Sequence, residues 1–186
     1  MSDDADAMPE VPDWLKVPEP DHAWKALGLV NDWIRHGDAK ISVTLAVTGA
    51  AGVMLYNLVN DQTNPSLGFG LLAGACAASL FLAALFAVIG LIPQVRVGSR
   101  RQPEAYTNLL FYRHIADGWN GKTAGFVHAL GELTIDKQDL TKHIGEQVHA
   151  NAGVARRKYV WSDRSIRALA AGLLLLAVTA LVKVVC

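Results

Sequence analysis

Four groups of residues have types and spacings that could do chemistry. The first, Ala116 to Thr123, reads ADGWNGKT and satisfies a permissive phosphate-binding-loop pattern ending in Gly121-Lys122-Thr123. Such a loop works between a strand and a helix of a parallel sheet, with a second acidic site for Mg²⁺. Here a helical pattern precedes it and strand-like alternation occurs nowhere, so nucleotide hydrolysis is not expected. The second group is the histidines at 22, 36, 114, 128, 143 and 149, which include no i, i+4 pair facing a third ligand. A metal site needs three or four converging donors, and none is expected. The third is the cysteines. Cys76 lies in an apolar run and Cys186 is the last residue, without a prenylation motif, so neither a disulfide framework nor a CxxC centre arises. A serine–histidine hydrolase has no signature either. A non-enzyme without metal or cofactor is the expectation.

The fourth group consists of polar residues at the edges of apolar segments. Asp32, Arg35, His36, Asp38 and Lys40 cluster before the first such segment, beside Trp33. Farther on, His143, Gln147, Asn151 and Lys158 fall near one face of a helical pattern, with His149, Arg156, Arg157 and Tyr159 nearby. Cations beside amides and aromatics can hold a phosphate and a stacked base together. A solvated face whose bases anchor a membrane segment accounts for the same residues. The residues alone leave both readings open.

The elements that must position these groups follow from hydropathy. The 186 residues are 52% hydrophobic with a mean hydropathy of +0.24 and a net charge of zero, and that neutrality is a cancellation. Residues 1–40 hold nine acids and four bases, whereas 94–165 hold seven acids and eleven bases. With no global excess of positive charge, a nucleic-acid partner is not indicated. Three runs are almost free of charge, at 41–59, 67–93 and 166–186, the last interrupted by Arg167 and Lys183. Crossing a hydrocarbon layer about 30 Å thick takes about 20 apolar helical residues, so each run can span. The first begins too deep in the chain to be the hydrophobic part of a cleaved signal. An all-α integral membrane protein with three transmembrane helices is expected.

Lys and Arg near the ends of the runs set orientation. Arg96, Arg100 and Arg101 follow the second run, Arg156, Arg157, Lys158, Arg164 and Arg167 precede or open the third, and Lys25, Arg35 and Lys40 precede the first. The connection 60–66 has no base. The pattern predicts a multi-pass protein of a bacterial inner membrane with the N-terminus and 94–165 in the cytoplasm and the C-terminus outside. Lys183 lies close enough to the end to snorkel outward. Asn64-Pro65 marks a tight turn between the first two spans. Gly49 and Gly52, then Gly70, Gly74 and Ala78, then Ala168 and Gly172 let helix backbones approach closely, within one chain or between chains. Lipid-facing small residues without a role are the alternative.

Outside the spans, residues 1–21 form an acidic, proline-rich arm of the composition that stays extended or disordered. Trp24, Leu27, Val30, Trp33 and Ile34 give 22–40 the stripe of an amphipathic helix running into the first span. In 94–165, Pro103-Glu104 opens a helical run with Tyr106, Leu109, Leu110 and Ile115, closed by Asp117-Gly118. A shorter helix follows at 123–133. Asp136 then caps a helix in which Leu140, Ile144, Val148 and Ala152 recur every fourth residue, continuing into the third span as one long helix.

Taken in order, WKALGLVNDWIRHGDAKISVTLAVTGA, an Ala/Leu-rich second span, NLLFYRHIADG and DLTKHIGEQVHANAGVARRKYVWSDRSIRALAAGLLLL resemble the Pycsar effector family. These are the membrane effectors of bacterial antiphage systems that signal through cyclic pyrimidine nucleotides. The resemblance covers residues 23–181 and carries no catalytic fingerprint. It implies a protein silent until a partner cyclase makes cCMP or cUMP, whose binding leads to disruption of the inner membrane and growth arrest or death. Nucleotide contacts are then expected among Gln147, His149, Asn151, Arg156, Arg157 and Lys158. Trp33, Asp38 and Lys40 are expected at the membrane surface, where Asp38 and Lys40 could pair with the long helix. Gly49, Gly70, Gly74 and Gly172 are expected at helix contacts, with assembly into a homo-oligomer. A holin-like pore former that needs no nucleotide, and a non-lytic anchor that recruits a protein, remain the alternatives.

Overall fold

A computed structural model describes residues 18–62, 66–92 and 108–185, and every regular element among them is an α-helix. The arm before Pro18, the Asn64-Pro65 turn, Arg96, Arg100, Arg101, the expected helix start at Pro103 with Tyr106, and Cys186 lie outside the described residues. In chain order the helices are α1 (Pro20–Asn60), α2 (Leu67–Leu91), α3 (Tyr112–Gly118), α4 (Thr123–Ile135) and α5 (Lys137–Val185). Three of them, α1, α2 and α5, are long and apolar enough to cross a membrane, which makes this an all-α membrane protein.

The boundaries follow local chemistry. No proline interrupts the sequence from Asp21 to Asn64, so the amphipathic segment and the first span form one 41-residue helix. Ser66 caps α2 by accepting the Phe69 N–H at 3.3 Å. Asp136 Oδ1 accepts the N–H groups of Gln138 at 2.8 Å and Asp139 at 3.1 Å, so α5 starts where the capping residue requires. One expectation is corrected. Leu109 and Leu110 lie in a turn, and α3 begins only at Tyr112. Asn108 Oδ1 takes the Leu110 N–H at 2.9 Å, a side-chain turn that competes with helix formation. Between α3 and α4, Gly121 adopts φ +72°, a conformation that a side chain would strain.

The chain divides into two compact units. The first comprises residues 1–29 and 98–150. Its core is Leu133 of α4 with Leu140 and Ile144 of α5, and Ala23, Leu27, Leu109, Leu110, Leu130 and Val148 pack against it. Leu140, Ile144 and Val148 of the period-four stripe therefore face α4 and the first turns of α1.

The second unit comprises residues 30–97 and 151–186 and holds the apolar helices. Here α1 and α5 run parallel, because Asn31 meets Asn151, Asp38 meets Lys158 and Asp61 meets Lys183, all near a register of i to i+120. Helix α2 runs antiparallel to α5. Ser79 Oγ donates to the Ala168 carbonyl at 2.9 Å, Ser165 Oγ to Ala83 at 2.7 Å, and Cys76 Sγ to Gly172 at 3.3 Å. Such side-chain to carbonyl bonds serve helix association in lipid, where burial of apolar surface does not drive it. The core between the helices is Ala51, Leu55, Phe69, Ala73, Cys76, Leu80, Ala83, Leu169 and Leu176. Lys183 reaches Asp61 at 3.1 Å, just past the end of α1, with its side chain 25% exposed.

Candidate functional site

The polar chemistry of the first unit is organised by Asn108. Its backbone N–H donates to His114 Nδ1 at 3.1 Å, and Nδ2 donates to the His143 carbonyl at 3.0 Å and Glu146 Oε2 at 2.9 Å. His143 Nδ1 lies 3.0 Å from the Asp139 carbonyl. These contacts tie the turn before α3 to α5, and they use up the polar atoms of Asn108. Gln147 is buried one turn farther along α5, while His149 points to the exposed side of the same helix. The two residues expected to share a ligand therefore lie on different faces. The phosphate-loop look-alike at Ala116 to Thr123 comprises the last residues of α3, a short link and the first residue of α4, and no strand precedes it among the described residues.

In the second unit the expected residues fall between α1 and α5. Asn151 Nδ2 donates to Asn31 Oδ1 at 2.9 Å. Lys158 forms an ion pair with Asp38, with side chains 14% and 40% exposed. Lys40 Nζ sits 5.1 Å from the centre of the Tyr159 ring, a cation–π contact. A Cβ on Gly37 would come within 3.3 Å of Lys158 Cβ, so the lack of a side chain there lets the helices approach. Asp38 and Lys40 thus both contact α5. Arg157 is half-buried and engaged within the protein, whereas Arg156 is exposed. Arg156 lines an open groove of about 550 Å³ together with Trp33, Ala152, Ala155, Tyr159, Val160 and Asp163. Arg164 stacks on Trp161 at 4.7 Å, and Trp161 lies 5.8 Å from Phe86 of α2.

The glycines separate in a way their spacing does not show. Gly172 is buried, and a Cβ there would stand 2.7 Å from Leu80 Cδ2. Gly90 is equally tight, 2.8 Å from Ile41 Cδ1 and 3.1 Å from Trp161 Cβ. Gly49, Gly70 and Gly74 are exposed, with nothing within 4 Å of a Cβ position. Ser79, Ser165 and Asn108 make bonds to distant helices that the sequence pattern does not reveal. Hydroxyls in otherwise apolar helices were the available signal for the first two. Among the described residues no three His, Cys, Asp or Glu side chains gather as a metal site.

Residues 22–184 match the family model of the Pycsar effector protein domain, a stretch that takes in all three apolar helices and both polar clusters. The chain belongs to the Pycsar effector family. Pycsar effector protein PtPycTM of Propioniciclava tarda is 39% identical over 158 residues, covering 85% of this chain and 77% of the relative. No solved structure matches the chain. As a Pycsar effector it belongs to the responding side of cyclic-pyrimidine antiphage defence, and the family is one of effectors, not cyclases.

Proposed function

We propose that this protein is a membrane-disrupting effector of bacterial antiphage defence, activated by cCMP or cUMP and causing growth arrest or death of the infected cell. The family match across residues 22–184 carries this reading. The activating nucleotide comes from a partner cyclase and is bound by residues drawn from Gln147, His149, Asn151, Arg156, Arg157 and Lys158. The protein sits in the inner membrane with its N-terminus and residues 94–165 in the cytoplasm, and it acts as a homo-oligomer on the bilayer. Parallel α1 and α5 with antiparallel α2 suit three successive crossings, and the bases that border them suit this orientation. No bond is made or broken. A ligand shifts a resting assembly toward a disruptive one only by binding the second more tightly. The first two spans hold no charge inside the apolar runs, which favours a nonselective lesion over an ion-selective path.

The test is expression with and without a pyrimidine cyclase while entry of a membrane-impermeant dye is followed. Cyclase-dependent entry is the expected result. Entry without cyclase would instead identify a holin-like pore former, and no entry under either condition a non-lytic anchor.

A further inference from the structure

We infer that the groove lined by Trp33 of α1 and by Arg156, Tyr159 and Asp163 of α5 is the nucleotide site, with the rings stacking the pyrimidine and Arg156 holding the phosphate. This rests on the nucleotide activation proposed above and narrows it to one face of one unit. Ala152, Ala155, Arg156, Tyr159, Val160 and Asp163 succeed one another at helical steps of three and one, so they form a single stripe. The two alanines keep its floor low, and Trp33 supplies the facing wall. The volume of about 550 Å³ lies within the range of small-molecule sites, which run from about 300 to 1,000 Å³.

The charges give the groove a direction. Arg156 and Asp163 are seven residues apart, about 10.5 Å along the helix, which is the length scale of a mononucleotide. Asp163 is engaged by Arg167 through both carboxylate oxygens, at 3.2 Å and 2.9 Å. Lys158 is engaged by Asp38. Arg156 has no ion-pair partner among the described residues, so of these cations it is the one open to an incoming anion. Lys40, over the Tyr159 ring, adds a second positive charge beside the stacking surface. Trp33 and Tyr159 remain 45% and 37% exposed, which leaves ring surface for a base, and base–aromatic stacking tolerates either pyrimidine.

The experiment is equilibrium binding of radiolabelled cCMP and of cUMP to the full-length protein in detergent micelles. The expected result is that wild type binds at least one of them and that Arg156→Ala and Trp33→Ala each weaken binding at least tenfold. Tyr159→Ala should do the same while Tyr159→Phe, which keeps the ring, stays within twofold of wild type. Because a truncation can loosen the helices, Ala152→Trp provides a filling variant, expected to abolish binding with an unchanged melting temperature. If wild type binds but all these variants bind equally well, the groove assignment falls and nucleotide activation stands. If wild type binds neither nucleotide, both fall.

Discussion

Single polar residues in this protein secure helix pairs, and Asp38–Lys158 is the clearest case. With Lys158 mostly buried, its ammonium depends on Asp38, but the carboxylate is 40% exposed and water screens the pair. A double-mutant cycle of Asp38→Asn and Lys158→Met, read as thermal melting in detergent, should give a coupling of about 1 kcal/mol. A coupling indistinguishable from zero would show that the pair is incidental. Asn108 should matter more. Asn108→Ala removes two donors and an acceptor that satisfy one buried and two half-buried partners, and the loss should be about 1–3 kcal/mol. The cation–amide–aromatic composition around 147–159 was legible as a possible ligand face. Which cation remains open was not, because Lys158 is claimed by a residue 120 positions away.

Among the helices, α2 and α5 meet through Gly172 against Leu80 and through three side-chain bonds to carbonyls. Gly172→Leu must push Leu80 or the backbones apart, and melting should fall by about 1–3 kcal/mol. Gly70→Leu and Gly74→Leu meet open space, so the melting of the isolated chain should stay within about 0.5 kcal/mol of wild type. If those outward glycines serve contacts between copies, the same two variants should lose cross-linked oligomer and cyclase-dependent dye entry together. Retention of both would assign them to lipid. Small-xxx-small spacing was visible at all of these positions. Spacing is a property of one helix, whereas contact depends on the neighbour that occupies the face, so it did not separate Gly172 from Gly70.

For the molecule as a whole the testable quantity is sidedness. In a background with both native cysteines replaced, Gln62→Cys should react with a membrane-impermeant maleimide added to intact cells. Lys122→Cys, in the exposed link between α3 and α4, should react only after lysis. Equal labelling of both from outside would overturn the three-crossing topology. The parallel alignment of α1 with α5 already requires that residues near 31 and 151 share one side and those near 61 and 183 the other.

The amino-acid sequence by itself determined that there are three helices apolar and long enough to span, and the bases beside them point to an orientation. Those properties depend on the length and charge of contiguous segments, which the bilayer reads one segment at a time. The capping at Asp136 was legible for the same reason, being local. Tertiary structure decided the rest. It placed Lys183 on Asp61, separated buried from open glycines, and turned Leu109 and Leu110 out of a helix through Asn108. It also left Arg156 facing a groove while its neighbour Lys158 was neutralised. Each of those outcomes depends on the register between helices distant in sequence, and that register is set by side-chain packing across the interface, which no single segment contains.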